Sequence, residues 1–497
     1  MLFQKFEKGG VLLSLDFQKC FDTVDPELGI LCLRHFGCPS PMLQMLKFVW
    51  QQSRWLTYNG EYMPGPIEVR TSLPQGDATS PLTLLALMTG ITKIVLRREP
   101  QLFSLATFLD DRNMIARDPQ QGFRLWQTWQ EVSSRLGLWE NDSKARVVPR
   151  RAAYEAQLVA QGFAQHHVTN AARVLGIDFT TRLGASDRKT SEERLRVTKS
   201  RLQRIAVLPV GMHLKAQHVA SIAIPKAAWG CWTNLSQVRC LTSIVKRTAG
   251  SEHPQASTDL FYILAGHGLN AEFVAGMQAY LYLAAEVRKR ARQWPRSPTR
   301  GTWLGTVRGW LEDLGWIEEG PFHWRCHALG ARGIIRWSGR VSTAELDVEK
   351  HMLRESWRRI LFANFLDSSR RDAQAIGTPP YAESRVAAAR QLFREFDTHA
   401  KAVMMGAVVS DARLDRMYHR PIQPCSWCQH PSAIPCWDHA AWYCPAFSAS
   451  RPRRPNDTFQ RILGWPMGRN PGTDQAVLAH LGKVRQKLLD KRYRGIA

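Results

Sequence analysis

The sequence predicts an α+β fold in which a few strands carry acidic side chains at their ends and long helical segments follow. Two observations indicate the strands. The apolar runs 11–15 and 102–109 have the length and composition of strands, and they lead into Asp16 and Asp110. A third observation indicates the helices, because apolar residues recur at helical spacing through most of the chain after Phe179. We therefore expect an N-terminal region that contains a sheet and a largely helical remainder.

The aspartates at the ends of these runs form the first candidate site. Asp16 follows the first run, and the pair Asp110 and Asp111 would sit at the tip of a hairpin after the second. Carboxylates in such places can share two divalent cations about 3.5–4 Å apart, an arrangement used for in-line phosphoryl transfer. Hard oxygen ligands favour Mg²⁺ or Mn²⁺. An Asp-Asp pair alone more often marks a solvated turn, so the prediction depends on the surrounding sequence.

The balance of charge indicates a polyanionic partner. The chain has 67 lysines and arginines against 43 aspartates and glutamates, which gives a formal net charge of +24. Such a positive field attracts phosphate backbones. The basic residues are also clustered, as is typical of interaction faces or tails, in the ranges 189–204, 288–292, 451–454 and 483–494.

Length and composition are those of a globular protein with several domains. The chain has 497 residues, 44% of them hydrophobic, and is long enough for about two to four domains with their own cores. No apolar run reaches the roughly eighteen residues of a membrane span, so we expect no membrane segment and an intracellular protein, nuclear or cytoplasmic. Its ten cysteines would then be reduced thiols or metal ligands rather than a disulfide framework.

Five stretches resemble the conserved motifs of reverse transcriptases, in the family order. The stretches that resemble motifs A, B and C are LSLDFQKCFD at 13–22, LPQGDATSP at 73–81 and TFLDD at 107–111. Those that resemble motifs D and E are LGLWENDSK at 136–144 and RVLGIDF at 173–179. The likeness is closest to the enzymes of non-LTR (LINE-like) retrotransposons. It implies a right-hand polymerase palm, in which an antiparallel sheet is combined with helices.

The resemblance gives the aspartates and one aromatic residue a task. Asp16, Asp110 and Asp111 would hold the catalytic metal ions. Phe21 occupies the position at which the family has an aromatic steric gate against the ribose 2′-hydroxyl, so its presence favours deoxynucleotides. Taken alone, Phe21 could equally be a core residue.

Three further residues receive roles from the same resemblance. Gln75 and Gly76 would lie against the templating base and the incoming nucleotide, because glycine permits a close backbone approach that a Cβ would block. Lys144 would lie near the pyrophosphate leaving group, where an ammonium can neutralise charge or donate a proton. Taken alone, the first two could be a turn and Lys144 a solvated lysine. Two residues depart from the family pattern: Leu109, where related elements often have alanine, and Arg112, directly after the aspartate pair.

The resemblance, together with the pattern of segments, implies four regions. These are a palm with incomplete fingers at 1–180, a helical thumb at 181–250, a helical connector of unknown role at 251–411, and a zinc-finger-like segment with a basic tail at 412–497. Because motif A begins close to Met1, we expect the preceding fingers strands and an endonuclease to be absent. The chain would then be an N-terminally truncated part of a retrotransposon open reading frame.

Helices are predicted in the palm and the thumb. Apolar residues at helical spacing mark 80–98 and 119–136 in the palm. In the thumb they mark 191–205 and 214–224, and Pro225 should end or kink the second of these helices.

The connector is rich in tryptophan. Tryptophan can stack on nucleic-acid bases, but packing inside a helical region is the simpler interpretation, and we assign the connector no chemistry. The residues concerned are Trp294, Trp303, Trp310, Trp316, Trp324 and Trp337.

A second candidate metal site lies near the C-terminus. Cys425 and Cys428 form a C-x2-C knuckle, and His439 and Cys444 follow as H-x4-C. Three thiolates and an imidazole make a closed tetrahedral Zn²⁺ site, which implies a structural or nucleic-acid-binding role rather than catalysis. A CCHC finger in this position also resembles one carried by many non-LTR elements. Two other residues compete for one place in the ligand set: Cys436 and His430.

These observations lead to one main functional hypothesis. We expect an RNA-directed DNA polymerase that uses Mg²⁺ or Mn²⁺ at the palm and Zn²⁺ at the finger, and whose partners are an RNA template, a DNA primer and deoxynucleoside triphosphates. A nucleic-acid-binding remnant that has lost catalysis is the alternative. An intron maturase would share the palm but is not expected to carry the C-terminal finger.

Overall fold

The computed structural model describes residues 10–494 except for a set of short gaps. These are residues 63, 69–70, 75, 101–103, 175, 181–188, 232–234, 250–255, 291–302, 339–340, 369, 378, 409–424, 426, 431–435 and 468–469. The chain divides into two compact units, Met1–Glu192 and Glu193–Ala497. The connector and the finger-like segment fall within the second unit, and the boundaries proposed for the four regions stay predictions.

The first unit is built on an antiparallel sheet, as predicted. Its strands are β1 (Val11–Leu15), β2 (Thr57–Tyr58), β3 (Glu61–Tyr62), β4 (Ser104–Phe108), β5 (Asp111–Ala116), β6 (Arg146–Pro149), β7 (Ala171–Val174) and β8 (Ile177–Thr180). Four of them form one sheet in the order β4-β5-β1-β6. The first strand is therefore central: Leu13 lies opposite Met114 of β5 on one side and Val147 of β6 on the other.

Both faces of this sheet are buried. Side chains alternate along a strand, so Leu13 and Leu12 of β1 point to opposite faces. Leu13 packs in the main core of the unit, together with buried residues of the surrounding helices. Leu12 packs in a smaller cluster with Ala172 and Val174 of β7. The motif E hairpin, β7 and β8, thus supplies apolar side chains to the second face.

Two of the helices in the first unit confirm sequence predictions. The helices of this unit are α1 (Cys20–Thr23), α2 (Pro26–His35), α3 (Ser40–Trp50), α4 (Ser80–Arg98), α5 (Pro119–Ser134) and α6 (Ala153–Gln161). The predicted helix 80–98 is α4, and the predicted helix 119–136 is α5, which ends two residues earlier. A proline near the start and a cap explain where α5 begins, because the Asp118 carboxylate accepts a hydrogen bond from the N–H of Gln121 at 2.8 Å.

Helix α4 bears on the expectation of no membrane segment. By length and composition alone it is apolar enough to cross a membrane, contrary to our expectation that no run reaches that length. One face of α4 nevertheless belongs to the core of the first unit, where Leu84, Leu87, Ile91 and Val95 are buried. A core helix passes the same test, so α4 is weak evidence for a membrane span.

The remainder of the chain is mainly helical. Its α-helices are α7 (Lys189–Ala206), α8 (Met212–His218), α9 (Ile224–Ala228), α10 (Ser236–Arg239), α11 (Thr242–Ala249), α12 (Thr258–Ala265), α13 (Ala271–Arg290), α14 (Trp303–Asp313), α15 (Thr343–Leu366), α16 (Arg371–Ile376), α17 (Glu383–Glu395), α18 (Thr398–Met404), α19 (Thr458–Leu463) and α20 (Pro471–Arg494). Helix α7 confirms the prediction at 191–205. The second predicted thumb helix is interrupted by a π-helical turn, Val219–Ala223, just before Pro225. Proline cannot donate a backbone hydrogen bond, which is consistent with irregular helix there.

The connector contains a small sheet that the sequence did not predict. Three short antiparallel strands, β9 (Ile317–Gly320), β10 (His323–Arg325) and β11 (Ile334–Arg336), lie in the order β11-β10-β9. The tryptophans near it are core residues, since four of them are at most 5% exposed: Trp310, Trp316, Trp324 and Trp337. For these four, the packing interpretation is confirmed. The side chains of Trp294 and Trp303 lie outside the described part of the chain.

Candidate active site and zinc site

Asp16 lies where the central strand β1 ends, and the segment before β6 holds it. Its backbone carbonyl accepts a hydrogen bond from the N–H of Asn141 at 2.9 Å, and the N–H of Gln18 donates to the carbonyl of Trp139 at 2.9 Å. Asp16 is only 9% exposed. Motifs A and D are therefore joined by backbone hydrogen bonds at this carboxylate.

Asp110 lies in the tight turn between β4 and β5, and Asp111 is the first residue of β5. Phe108 pairs with Asp111 across the hairpin, which leaves Leu109 and Asp110 as the two turn residues. Leu109 has a φ of +54°, in a left-handed region that residues other than glycine seldom adopt. Two-residue hairpins commonly require a positive φ at this position. The departure from the family pattern at Leu109 thus places a bulky side chain at the strained position of the turn.

The three carboxylates form a compact anionic cluster. One oxygen atom from each of Asp16, Asp110 and Asp111 lies within 4.8 Å of the other two. Burial raises the pKa of Asp111, and the negative charges of Asp110 and Asp16 raise it further. A divalent cation would remove this repulsion, and carboxylate oxygens are the ligands that Mg²⁺ and Mn²⁺ prefer. The residues present therefore fit the predicted metal ions.

Lys144 contacts the same cluster. Its Nζ lies 2.5 Å from Oδ2 of Asp16, and this hydrogen bond, together with the charge of Asp16, raises the pKa of Lys144. The lysine side chain is 64% exposed, so its ammonium is also accessible from solvent. The structure thus brings together four of the predicted palm residues, which are separated by as many as 128 positions in the chain.

Arg112 is a residue of this site whose importance the sequence did not reveal. It is fully buried, and its guanidinium donates two hydrogen bonds to the carboxylate of Glu140, at 2.5 and 2.7 Å. Its Nε donates to the backbone carbonyl of Asp110 at 3.4 Å, and its Cζ lies 3.5 Å from the centre of the Phe17 ring. The bidentate pair of Arg112 and Glu140 links the aspartate turn to motif D. The only sign of it in the sequence was a charged residue shortly before an apolar run.

Phe21 and Gly76 lie on segments that are close in the fold. Phe21 is half-buried in α1, and its carbonyl accepts a hydrogen bond from the N–H of Leu73 at 2.8 Å. Gly76 has a φ of +92°, and a Cβ added there would meet nothing within 4 Å. Backbone conformation, rather than crowding within the chain, therefore favours glycine at this position. Gln75 lies outside the described residues, so its predicted role stays a prediction.

Asp77 fixes the end of motif B to helix α4. Its Oδ2 accepts hydrogen bonds from the Nε1 of Trp50 at 3.3 Å and from the N–H and hydroxyl of Ser80 at 3.1 and 3.0 Å. Burial raises the pKa of Asp77, but these bonds and those from Thr79 outweigh burial and lower it overall. The sequence did not identify this cap, which anchors the loop that carries Gly76.

A second cluster with metal-ligand chemistry includes Asp142 of the motif D stretch. The carboxylate of Asp142 lies 3.2 Å from Nε2 of His166 and 2.8 Å from Nε2 of His167. The hydrogen bond from His166 lowers the pKa of Asp142. His167 is buried and the other two residues are exposed. The sequence did not predict this cluster, because Asp142 and the histidines lie on separate segments.

The four predicted zinc ligands come together in the second unit. The sulfur atoms of Cys425 and Cys444 are 3.9 Å apart, and the sulfur of Cys428 lies 3.4 Å from Nε2 of His439. All four ligand atoms lie within 4.8 Å of one another. Tetrahedral Zn²⁺, with a Zn–S distance of about 2.3 Å and a Zn–N distance of about 2.0–2.1 Å, requires ligand separations of roughly 3.5–3.8 Å. The donor set and its spacing therefore fit zinc.

The two competing residues lie outside this set. The sulfur of Cys436 accepts a hydrogen bond from the backbone N–H of His439 at 3.4 Å, and neither Cys436 nor His430 belongs to the group of four ligand atoms. Burial raises the pKa of the Cys444 thiol to about 12. A thiolate at this position would need a positive partner such as a metal ion.

The zinc-ligand segment is packed into the second unit. The indole N–H groups of Trp437 and Trp442 donate to the carbonyls of Ile462 and Arg461, at 3.2 and 3.1 Å. A ring nitrogen of His480, on α20, lies 2.7 Å from the carbonyl of Ala441. The segment therefore shares its core with α19 and α20 instead of forming a separate small module.

Zinc content tests this assignment in the intact protein. We expect about one zinc ion per chain by elemental analysis of the purified protein. Cys428→Ser should lower the zinc content sharply and weaken the packing of the C-terminal helices, because the ligand set loses a thiolate. Cys436→Ser is the matched control and should retain the metal. A wild-type zinc content near zero, or equal losses in both variants, would contradict the proposed ligand set.

Comparison with known proteins supports the motif assignments. Residues 3–178 match the family model described as reverse transcriptase (RNA-dependent DNA polymerase). No curated protein matches the chain. The matched segment contains all five motif-like stretches except the last residue of motif E, together with both the sheet and the aspartate cluster. This part of the chain is therefore similar to the reverse transcriptase family over the region that contains the sheet and the aspartates.

Solved telomerase structures are also similar. The apo telomerase of Candida tropicalis shares 9% identity and a TM-score of 0.33, over 61% of this chain and 55% of that one. The same telomerase in complex with a TWJ fragment of telomeric RNA shares 11% identity and a TM-score of 0.31, over 63% and 50%. The telomerase of Candida albicans, also in complex with a TWJ fragment of telomeric RNA, shares 9% identity and a TM-score of 0.25, over 59% of this chain and 51% of that one. The chain spans about half the length of these structures, and likenesses with such low TM-scores carry no argument about its function.

Proposed function

We propose that this protein is an RNA-directed DNA polymerase of the non-LTR retrotransposon type, which extends a DNA 3′ end on an RNA template. One observation carries the proposal. The carboxylates of Asp16, Asp110 and Asp111 lie within 4.8 Å of one another, inside the segment that matches the reverse transcriptase family. An intracellular location, nuclear or cytoplasmic, is part of the same proposal.

The reaction would join a primer to a deoxynucleotide. The primer 3′-hydroxyl would lose its proton to solvent and its oxygen would attack the α-phosphorus of the triphosphate. A phosphodiester bond would form as the bond from the α-phosphorus to the bridging oxygen breaks, and pyrophosphate would leave. Divalent cations held by the three aspartates would stabilise the negative charge that develops on the attacking and leaving oxygens. The chain contributes the ligands in a fixed arrangement, since Asp16 ends a central strand and Asp110 is held through its carbonyl by Arg112.

Lys144 would act at the leaving group. The hydrogen bond to Asp16 and the negative charge of this carboxylate raise the pKa of Lys144, so its ammonium stays protonated at neutral pH. A protonated amine near departing pyrophosphate can neutralise charge or donate a proton. The 2.5 Å contact with Asp16 supports this role because it keeps the amine beside the proposed metal ligands.

A primer-extension assay tests the proposal. With Mg²⁺ or Mn²⁺ and deoxynucleoside triphosphates, we expect the protein to extend a DNA primer on an RNA template, and EDTA to stop the reaction. No extension with either metal, accompanied by firm binding of the template–primer, would overturn the polymerase proposal. That result would favour the alternative, a nucleic-acid-binding remnant without catalysis, for which the net charge of +24 is sufficient.

Phe21→Val should change the choice of sugar. If the ring blocks the ribose 2′-hydroxyl, the smaller side chain should raise ribonucleotide incorporation relative to deoxynucleotide incorporation by at least about tenfold, because a steric clash is removed. The ratio of the two kcat/KM values measures this. Phe123→Val is the matched control, since Phe123 is a half-buried phenylalanine that packs on another part of the same core. An unchanged ratio would make Phe21 a core residue only.

A further inference from the structure

Arginines of two helices lie near the turn between α12 and α13 in the second unit. Helix α12 packs against both α15 and α17. Arg390 of α17 comes close to the turn, because its Nη2 would lie 3.3 Å from a Cβ added at Gly266. Arg354 and Arg358 lie one helical turn apart on α15, and their charges act on His267, the residue after Gly266. Two helices thus contribute cationic side chains whose charges act at one short turn.

Two of these arginines are half-buried without an acidic partner. The Nε atoms of Arg354 and Arg390 are shielded from solvent and have no hydrogen-bond partner. Neither guanidinium forms an ion pair with an aspartate or glutamate among the residues that the structure describes. Arg358 differs, since it contacts Glu355 at 3.4 Å. Shielded donors and unbalanced charges of this kind are normally satisfied by a bound anion or a carboxylate.

Burial, together with the positive charges of neighbouring arginines, disfavours the protonated forms of His267 and Arg390. Burial lowers the pKa of His267 to about 4, and the charges of Arg354, Arg358 and Arg390 add to this effect. Burial also lowers the pKa of Arg390 to about 10, and the charge of Arg358 adds to it. Positive charge therefore accumulates around His267, in a place where burial already disfavours it. A ligand with negative charge would offset this positive charge.

We propose that Arg354, Arg358 and Arg390 bind a phosphate group of a nucleic-acid strand. Guanidinium groups match phosphate oxygens through paired hydrogen bonds, which makes arginine the preferred residue for partly buried phosphate contacts. The site would give the connector, to which the sequence assigned no chemistry, a role in holding template or product. This site depends on the proposed function only for the identity of its ligand, because free phosphate and pyrophosphate offer the arginines the same phosphate oxygens as a nucleic-acid strand.

Binding of single-stranded RNA tests the site. The probe is a fluorescently labelled 20-nucleotide RNA, titrated without metal or nucleotides at several salt concentrations. Arg390→Gln and Arg354→Gln should each weaken binding roughly tenfold, because a charge-assisted hydrogen bond is lost. The dependence of log affinity on log salt should also become shallower, by about 0.7 for each phosphate contact removed. Arg390→Lys keeps the positive charge but loses the planar guanidinium that can donate paired hydrogen bonds. Its RNA affinity should lie between those of the glutamine variants and that of the wild type.

Arg332→Gln provides the matched control. It removes the same charge from an exposed arginine of the same unit and should change affinity less than twofold. Equal effects of Arg332→Gln and Arg390→Gln would overturn the proposal. Thermal melting excludes misfolding as the cause, because without ligand Arg390→Gln removes repulsion and should melt no lower than the wild type.

Inorganic pyrophosphate separates the two sources of phosphate. Millimolar pyrophosphate should compete only weakly with the RNA. Micromolar pyrophosphate that saturates the protein, together with equal RNA affinities of wild type and Arg390→Gln, would overturn the nucleic-acid assignment. All of these measurements can be repeated with Asp110→Asn protein, so failure of the polymerase proposal leaves the test of this site intact.

Discussion

Asp110→Asn should abolish primer extension, with a loss of at least roughly 10³-fold in rate. An amide is a poor ligand for Mg²⁺ compared with a carboxylate. Loss of the metal ion therefore raises the activation free energy by several kcal/mol, because the transition state loses its stabilisation. Asp16→Asn should have the same effect, because its carboxylate belongs to the same cluster. Affinity for the template–primer should remain close to that of the wild type, since the aspartates repel rather than attract phosphate.

Metal binding provides a second readout that does not depend on activity. Titration with Mn²⁺, followed by electron paramagnetic resonance, should show strong binding by the wild type and weak binding by Asp110→Asn. Asp347→Asn is the matched control, because its carboxylate is 62% exposed and, among the residues that the structure describes, pairs with Lys350 alone. Primer extension by Asp110→Asn at the wild-type rate, or an affinity for Mn²⁺ that the substitution does not change, would contradict the proposed metal site.

Arg112→Met should strongly destabilise the first unit. The substitution leaves the Glu140 carboxylate, only 10% exposed, without its partner, and uncompensated buried charges of this kind cost about 3–5 kcal/mol. That is a large part of the about 5–15 kcal/mol by which a typical domain is stable. Denaturant unfolding would measure the loss. The variant should also bind Mn²⁺ more weakly, because the carbonyl of Asp110 loses the hydrogen bond from Arg112 Nε.

A surface ion pair of the same unit serves as the control for this prediction. Arg98 contacts Glu131 at 3.0 Å, but both side chains are more than 40% exposed. Arg98→Met should therefore cost no more than about 1 kcal/mol. If Arg112→Met costs as little as Arg98→Met, the buried pair does not stabilise the aspartate turn. Replacing Glu140 with leucine in the Arg112→Met protein should restore much of the stability, because no buried charge then remains.

The sequence was most informative where candidate ligands stand in short recognisable patterns. The aspartates, Lys144 and the zinc ligands stand in local patterns with a chemical reason, and the structure brings each set together. Helix α4 was also predictable, since it has nineteen residues of helical periodicity. These features depend on a few neighbouring residues, which a linear sequence displays directly.

The rest depends on contacts between distant residues. Arg112 and Glu140 are 28 positions apart, and nothing in either stretch indicates that they pair inside the core. The sheet β9–β11 consists of strands of three or four residues, too short for an alternating pattern to be recognised. The arginines around His267 come from two helices whose packing the sequence does not reveal. The packing of the zinc segment against α20 is similarly a property of the folded unit.

The strand order of the first unit has a consequence for biosynthesis. Strand β1 leaves the ribosome before every other strand of its sheet, yet its two hydrogen-bonding edges belong to β5 and β6, about a hundred residues or more later. Until those partners are made, a very apolar strand has no permanent neighbour, and such edges tend to associate with other chains. The first unit should therefore collapse late and cooperatively during translation. Its nascent chain is expected to need chaperone protection until residue 149 has emerged.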